Sequence, residues 1–99
     1  MLAELDPLIH SQLRLAIMSI LLSVDEADFV YLKEKTESTA GNLSVQLDKL
    51  AKAGYIVVTK TFKGKEFVGK KTRTSCRITE TGRKAMEEYI KALKTYLDL

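Results

Sequence analysis

Apolar residues recur at helical spacing along most of this chain, with one interruption. Leu13, Ile17, Ile20, Leu21 and Val24 line one face of a predicted long helix. Asp6-Pro7 offers a start for it, an acceptor side chain followed by a residue whose missing N–H does no harm in a first turn. Ser11 offers a second cap. Asp25-Glu26-Ala27-Asp28 ends that helix, and Asp28 is placed to cap a short second one carrying Phe29, Val30 and Leu32 to about Thr36. Glu37 and Ser38 form a tight connection. Thr39 then opens a third helix with Leu43, Leu47 and Leu50 on one stripe, and Gly54 suits the left-handed position after its last turn.

Here the helical spacing gives way to a β-branched and aromatic run. Residues 55–62 predict a strand, and Thr72 to Ile78 the strand that returns, with Cys76 and Ile78 on one face and Arg73, Ser75 and Arg77 on the other. The pair is a hairpin with a long glycine-containing tip, in which Phe62-Lys63-Gly64-Lys65 and Phe67-Val68-Gly69-Lys70 resemble each other. Thr79 caps a final helix. Met86, Ile90, Leu93 and Leu97 run along it, with Ala85, Tyr89, Ala92 and Tyr96 on an adjacent line. Two apolar lines are broader than one core requires.

Composition narrows the class. A chain of 99 residues is expected to be a single domain over 1–99, and 45% hydrophobic with 29% charged residues excludes disordered and collagen-like proteins. One Cys and one His exclude an internal disulfide and a thiolate zinc cluster. Met1-Leu2-Ala3-Glu4 lacks the basic start of a signal peptide, and the longest apolar stretch, around Ile17 to Val24, falls short of the ~20 residues of a membrane span. The expectation is a cytoplasmic domain with no cofactor, no metal and no membrane contact.

Mapping the charge changes the picture more. The net charge is +3, yet seven basic residues and one acid lie between Lys60 and Arg77, leaving nine basic and twelve acidic elsewhere. A basic segment on an acidic body is the footprint of a polyanion partner. A solvated loop is the plainer alternative, so the neighbouring elements decide.

Enzyme chemistry has little to draw on. Lys63-Gly64-Lys65 and Val68-Gly69-Lys70 lack the spacing of a phosphate loop, and His10 is the sole histidine for acid–base work. His10 has no second metal ligand at suitable spacing. Cys76 alternates with the buried face and has no resolving partner, so it reads as a core thiol rather than a redox switch. RNA recognition calls for exposed aromatics to stack bases, and only Phe62 and Phe67 qualify.

Three helices, a strand, a basic hairpin tip, a strand and a last helix follow the order of a winged helix-turn-helix. The fold class is mainly α with a β-hairpin wing (α+β). The recognition helix spans about 39–53, the wing about 55–78 and a C-terminal dimerisation helix about 79–98. Thr39, Asn42, Ser44, Val45 and Gln46 are candidates for base edges, with Lys49 and Lys52 near phosphates. Lys63, Lys65, Lys70, Lys71 and Arg73 are the wing's candidates for the DNA backbone. Asn42 and Ser44 also fit as simple polar residues of a helix start.

Several segments, taken in order, resemble short winged-helix regulators related to the MarR and ArsR groups. They are Leu5-Asp6-Pro7-Leu8-Ile9-His10-Ser11 with Arg14-Leu15-Ala16-Ile17, then Asp28-Phe29-Val30-Tyr31-Leu32, then Gly41-Asn42-Leu43-Ser44 with Leu47 and Lys49-Leu50. Ala53-Gly54-Tyr55-Ile56 and Arg73-Thr74-Ser75-Cys76-Arg77-Ile78-Thr79-Glu80-Thr81-Gly82-Arg83 complete the set. Gln46 stands where those regulators often have His, Thr72 where they have Pro, and the tip is longer. The resemblance implies transcriptional regulation by dimeric binding to double-stranded DNA.

A homodimer is expected through Leu5, Leu8, Ile9, Met86, Tyr89, Ile90, Leu93, Tyr96 and Leu97, whose joint apolar surface exceeds one small core. The alternative from another class is a winged-helix adaptor that binds protein and not DNA. The wing charge separates the two, because an adaptor does not need it. The sequence names no small-molecule effector.

Overall fold

Four side chains fix where the helices begin. Ser11, Asp28, Thr39 and Thr79 each have an extended backbone, and each accepts a hydrogen bond from the N–H three residues on: Arg14, Tyr31, Asn42 and Gly82. Such a cap contributes about 1 kcal/mol, because it satisfies a donor the helix leaves orphaned. A computed structural model describes residues 2–63 and 71–99. It places α1 at Gln12–Leu22, β1 at Ala27–Asp28, α2 at Phe29–Thr36, α3 at Ala40–Lys52, β2 at Ile56–Lys63, β3 at Lys71–Ile78 and α4 at Glu80–Leu97. This is the winged helix fold that the order of elements predicts.

Two expectations need correction. Asp6-Pro7 does not start α1. The Asp6 carboxylate accepts from Leu8 N–H at 2.8 Å, and the Asp6 carbonyl from His10 N–H at 2.8 Å, which closes a single turn. The extended backbone of Ser11 then breaks the path, and the helix begins at Gln12. The sheet has three strands in the order β1-β3-β2, where the sequence predicts two. Two residues, Ala27 and Asp28, pair antiparallel with Cys76 and Ser75, too short a run to alternate legibly. On α2, Leu32 is fully buried and Val30 exposed.

The core lies where α1, α2, α3 and α4 meet one face of the sheet. Ile17, Met18 and Leu21 from α1 pack with Leu32, with Leu43, Leu47 and Leu50 from α3, and with Met86 and Tyr89 from α4. Burying each such side chain stabilises by roughly 1.5–3 kcal/mol. Cys76 belongs to this core. Burial first, and the nearby Glu26 charge second, push its thiol up to about 11, so it stays protonated at neutral pH.

α4 is locked to the start of β2 at one point. Thr79 donates its N–H to Tyr55 carbonyl at 3.0 Å and its hydroxyl to Gly54 carbonyl at 2.7 Å. A Cβ on Gly82 would lie 2.1 Å from the Tyr55 carbonyl oxygen, so the helix and strand approach as only glycine permits. Gly54 itself takes φ 81°, the left-handed turn expected after α3.

This packing also uses three residues expected at a dimer interface. Ile9, Met86 and Tyr89 are buried inside the chain and have no surface to offer a partner. The N-terminal segment lies along α4 and takes up part of its second apolar line. Tyr96 donates its hydroxyl to the Ala3 carbonyl, and the Tyr89 hydroxyl meets His10 Nδ1 at 2.9 Å. His10 thus serves as a hydrogen-bond partner of α4. Among the described residues, no helix is long and apolar enough to cross a membrane.

Candidate nucleic-acid interface

The sequence of α3 separates an anchoring stripe from an open face. Leu43, Leu47 and Leu50 hold the helix to the core, and the opposite side carries Gly41, Asn42, Val45, Asp48, Lys49 and Lys52 in solvent. Val45 is 51% exposed, an apolar side chain left outside by a helix that has already filled its share of the core. A helix of this width, about 10–12 Å, matches the major groove of B-DNA. Thr39 is committed to the cap, where its hydroxyl accepts from Asn42 N–H at 3.1 Å.

The remaining candidates divide by position. Asn42 and Gln46 are linked one turn apart, Gln46 Nε2 donating to Asn42 Oδ1 at 3.0 Å. Ser44 lies on the other edge of the helix, in a groove of about 660 Å³ formed with Asp48, Phe29, Val58, Lys60 and Thr74. Lys52 pairs with Asp48 at 3.0 Å, and both side chains are largely exposed. Such a pair is worth at most about 1 kcal/mol, so a phosphate can displace the aspartate.

The hairpin has two faces with different charge. Register pairs Val58 with Cys76 and Lys60 with Thr74, on the side that meets the helices. Thr59 with Ser75, Thr61 with Arg73 and Val57 with Arg77 alternate onto the opposite face, which is exposed except at Ser75, a buried residue of the central strand. Arg73 therefore lies on the face away from α3, and its guanidinium reaches Asp28 at 3.7 Å. Lys63 and Lys71 are the paired ends of the described strands. Lys65 and Lys70 lie outside the described residues.

Two contributors escape a reading of the sequence. Lys60 belongs to the basic segment, but only the register shows that it faces the α3 groove. Arg14 gives no signal at all. It sits on α1, yet its Nη1 donates to Gln46 Oε1 at 2.5 Å across 32 positions of chain. Among the described residues, no three His, Cys, Asp or Glu side chains converge as a metal site would require.

At the opposite end of the molecule, Ile90 is 44% and Leu97 73% exposed on α4, with Leu2 and Leu99 also open. Leu5, Leu8 and Leu93 are half-buried against the core, and Tyr96 is half-buried. A groove of about 610 Å³ runs between residues Ala3 to Pro7 and Ala85, Glu88 and Ala92 of α4. Tyr55 closes one end, donating its hydroxyl to Asp6 Oδ2 at 2.5 Å.

Comparison with known proteins agrees with this geometry. Residues 13–97 match the family described as winged helix DNA-binding domain. An uncharacterized protein of Methanocaldococcus jannaschii is 35% identical over 82 residues, spanning 82% of this chain and 83% of that one. The structure of a transcriptional regulator homologue from Pyrococcus horikoshii OT3 superposes with a TM-score of 0.81 at 25% identity, covering 94% of this chain and 87% of that chain. The transcriptional regulator BldR from Sulfolobus solfataricus shares the fold, with a TM-score of 0.66 at 22% identity over 89% of this chain and 58% of its own.

Proposed function

Since the chain belongs to the winged helix DNA-binding domain family, we propose that it is a sequence-specific regulator of transcription that binds double-stranded DNA as a homodimer. Its business is binding, not catalysis. α3 reads the major groove, with Asn42, Val45 and Gln46 toward base edges and Lys49 and Lys52 toward phosphates. The wing, through Lys63, Lys65, Lys70, Lys71 and Arg73, holds the flanking backbone. The observation that carries this reading is the pairing of an open α3 face with a hairpin whose seven basic residues and one acid more than account for the chain's net positive charge.

Titration against duplexes selected from a random pool tests it. Replacing Lys63, Lys65, Lys70 and Lys71 by Gln should weaken binding to all sequences and flatten its salt dependence, by up to about 0.9 in log–log slope for each phosphate no longer neutralised. An unchanged slope sinks the wing's role. Asn42→Ala should instead change the preference among sequences.

The homodimer is proposed through the open edge of α4, where Ile90 and Leu97 stand with Leu2, Leu99 and the half-buried Leu5, Leu8, Leu93 and Tyr96. A contiguous apolar edge of this kind favours association. Two-fold symmetry then sets two α3 helices against half-sites about 34–36 Å apart. Sedimentation equilibrium checks this: a dimer for the native chain and a folded monomer for Ile90→Glu/Leu97→Glu. A native chain that is monomeric at micromolar concentration refutes it.

A further inference from the structure

We infer that Arg14 is a positioning residue for base reading: from α1 it fixes which way the side-chain amides of Gln46 and Asn42 face. The inference rests on the DNA-binding reading above and names a specificity determinant that lies outside the recognition helix.

Arg14 is half-buried, and its guanidinium bridges two parts of the chain. Nε donates to the Leu8 carbonyl at 2.5 Å, and Nη1 donates to Gln46 Oε1 at 2.5 Å. Leu8 is itself held, its N–H donating to Asp6 Oδ1. Among the described residues Arg14 makes no ion pair, so both contacts are to neutral oxygens. The charge is not there to neutralise an acid. What the fork does is present donors, at a fixed place, to a side chain of α3.

That matters because a glutamine amide is nearly symmetric in shape but not in chemistry. Turned by half a rotation it exchanges an acceptor for a donor, and nothing steric prevents the exchange. Only partners choose. A guanidinium has donors and no acceptor, so it tolerates the Gln46 oxygen and repels the nitrogen. With Oε1 held by Arg14, Nε2 is directed to Asn42 Oδ1 at 3.0 Å. Asn42 must then keep its oxygen toward Gln46, which leaves its Nδ2, with two N–H donors, as the group turned away.

The chain Arg14 to Gln46 to Asn42 thus ends on a donor at the exposed face of α3. In the major groove the acceptors are purine N7, guanine O6 and thymine O4, whereas the amino group of cytosine is a donor. The arrangement favours an acceptor edge opposite Asn42 and disfavours a cytosine amino group. Without Arg14, Gln46 can turn, Asn42 can present either end, and the preference widens. A residue that only ties α1 to α3 would alter stability and leave the preference alone.

The test compares the full chain with Arg14→Met, Gln46→Ala and the double variant. Each is titrated against the duplex selected by the native chain from a random pool, and against its single-base-pair variants, at two salt concentrations. Thermal melting reports folding. Arg14→Met keeps the aliphatic stem and should retain the salt slope while losing about fivefold or more of the discrimination at one base pair. Gln46→Ala added to it should change the preference at the base pair opposite Asn42 little further, since the two act as one unit there. Unchanged discrimination overturns the inference. So does a uniform drop in affinity for every duplex with a slope lower by about one phosphate, which would make Arg14 a phosphate ligand. If Arg14→Met does not fold, Arg14→Lys carries the same test, having the charge but a single nitrogen in place of the fork. A native chain that binds no duplex fails in the first titration and takes the proposed function with it. A native chain that binds all duplexes alike overturns the role of Arg14 and the sequence specificity of the proposed function, and leaves only its DNA binding standing.

Discussion

Gly82, in the first turn of α4, and Gly41, in the first turn of α3, occupy similar places in two helices and answer to opposite constraints. At Gly82 an added Cβ would meet the Tyr55 carbonyl oxygen at 2.1 Å and its carbon at 2.9 Å. At Gly41 it would meet nothing within 4 Å. The first glycine is explained by folding, because α4 cannot otherwise reach the start of β2. The second has no reason inside the chain, although glycine in a helix is less stable than alanine by up to about 1 kcal/mol. A position that forgoes stability without an internal cause points outward. Under the proposed function, the face it lies on is the one turned toward the DNA groove.

The sharpest way to break this contrast is Gly82→Ala. The opposing atoms are backbone, not the end of a flexible side chain, so strand and helix must separate or the chain must strain. A loss of about 3 kcal/mol or more is expected, at the upper end of overpacking in a well-filled core. Urea denaturation should show a lower midpoint with an unchanged slope. An unaltered midpoint would mean that α4 slides freely on Tyr55, and the contrast with Gly41 would vanish.

A smaller effect tells whether the Tyr55 side chain or only its backbone sets that approach. Tyr55 donates to Asp6, and this hydrogen bond, with burial and the carboxylate's charge behind it, pushes the phenol up to about 12. Tyr55→Phe should lower stability by about 1 kcal/mol, since the bond is partly solvated. The folded pKa lies above the ordinary value near 10, so the protonated phenol is the form the fold favours. Its contribution is complete below pH ~10 and disappears as pH rises through about 12. Tyr55→Phe should therefore remove part of the loss of stability seen over that interval. Identical profiles for the two chains would show that the Asp6 contact contributes nothing to the fold.

The contrast also explains what the sequence could reveal. All four helix caps are legible, because a Ser, Thr or Asp ahead of an apolar stripe works through atoms three residues away. The stripe of Leu43, Leu47 and Leu50 is legible for the same reason. Contacts between distant segments are not. Arg14 reaches Gln46 across 32 positions, Tyr96 reaches Ala3 across 93, and β1 exists only because β3 lies beside it. Tyr89 and Met86 show the limit most plainly. Helical periodicity says that they share an apolar side of α4, but not that the N-terminal segment and α1 cover that side within one chain. The candidate interface divides likewise. The open face of α3 follows from its stripe, whereas the facing of Lys60 and Arg73 follows from hairpin register.

The finest effect is at Gly41 itself. Gly41→Ala introduces one methyl group into open space, removes backbone freedom from the unfolded chain and improves helix propensity. Stability should rise by a few tenths to about 1 kcal/mol, less than a mid-helix value because Gly41 is only the second residue of α3. In the same protein, affinity for the preferred duplex should fall, since the methyl occupies the surface that the proposed function gives to the groove. Opposite signs from one substitution are what separates this glycine from Gly82, where folding alone suffers. The two measurements are independent, a denaturation midpoint and a binding titration, and a folding defect cannot imitate the second while the first improves. A variant that is both more stable and equally good at binding DNA would show that Gly41 faces nothing, and that α3 meets its target through Val45, Lys49 and the far end of the helix instead.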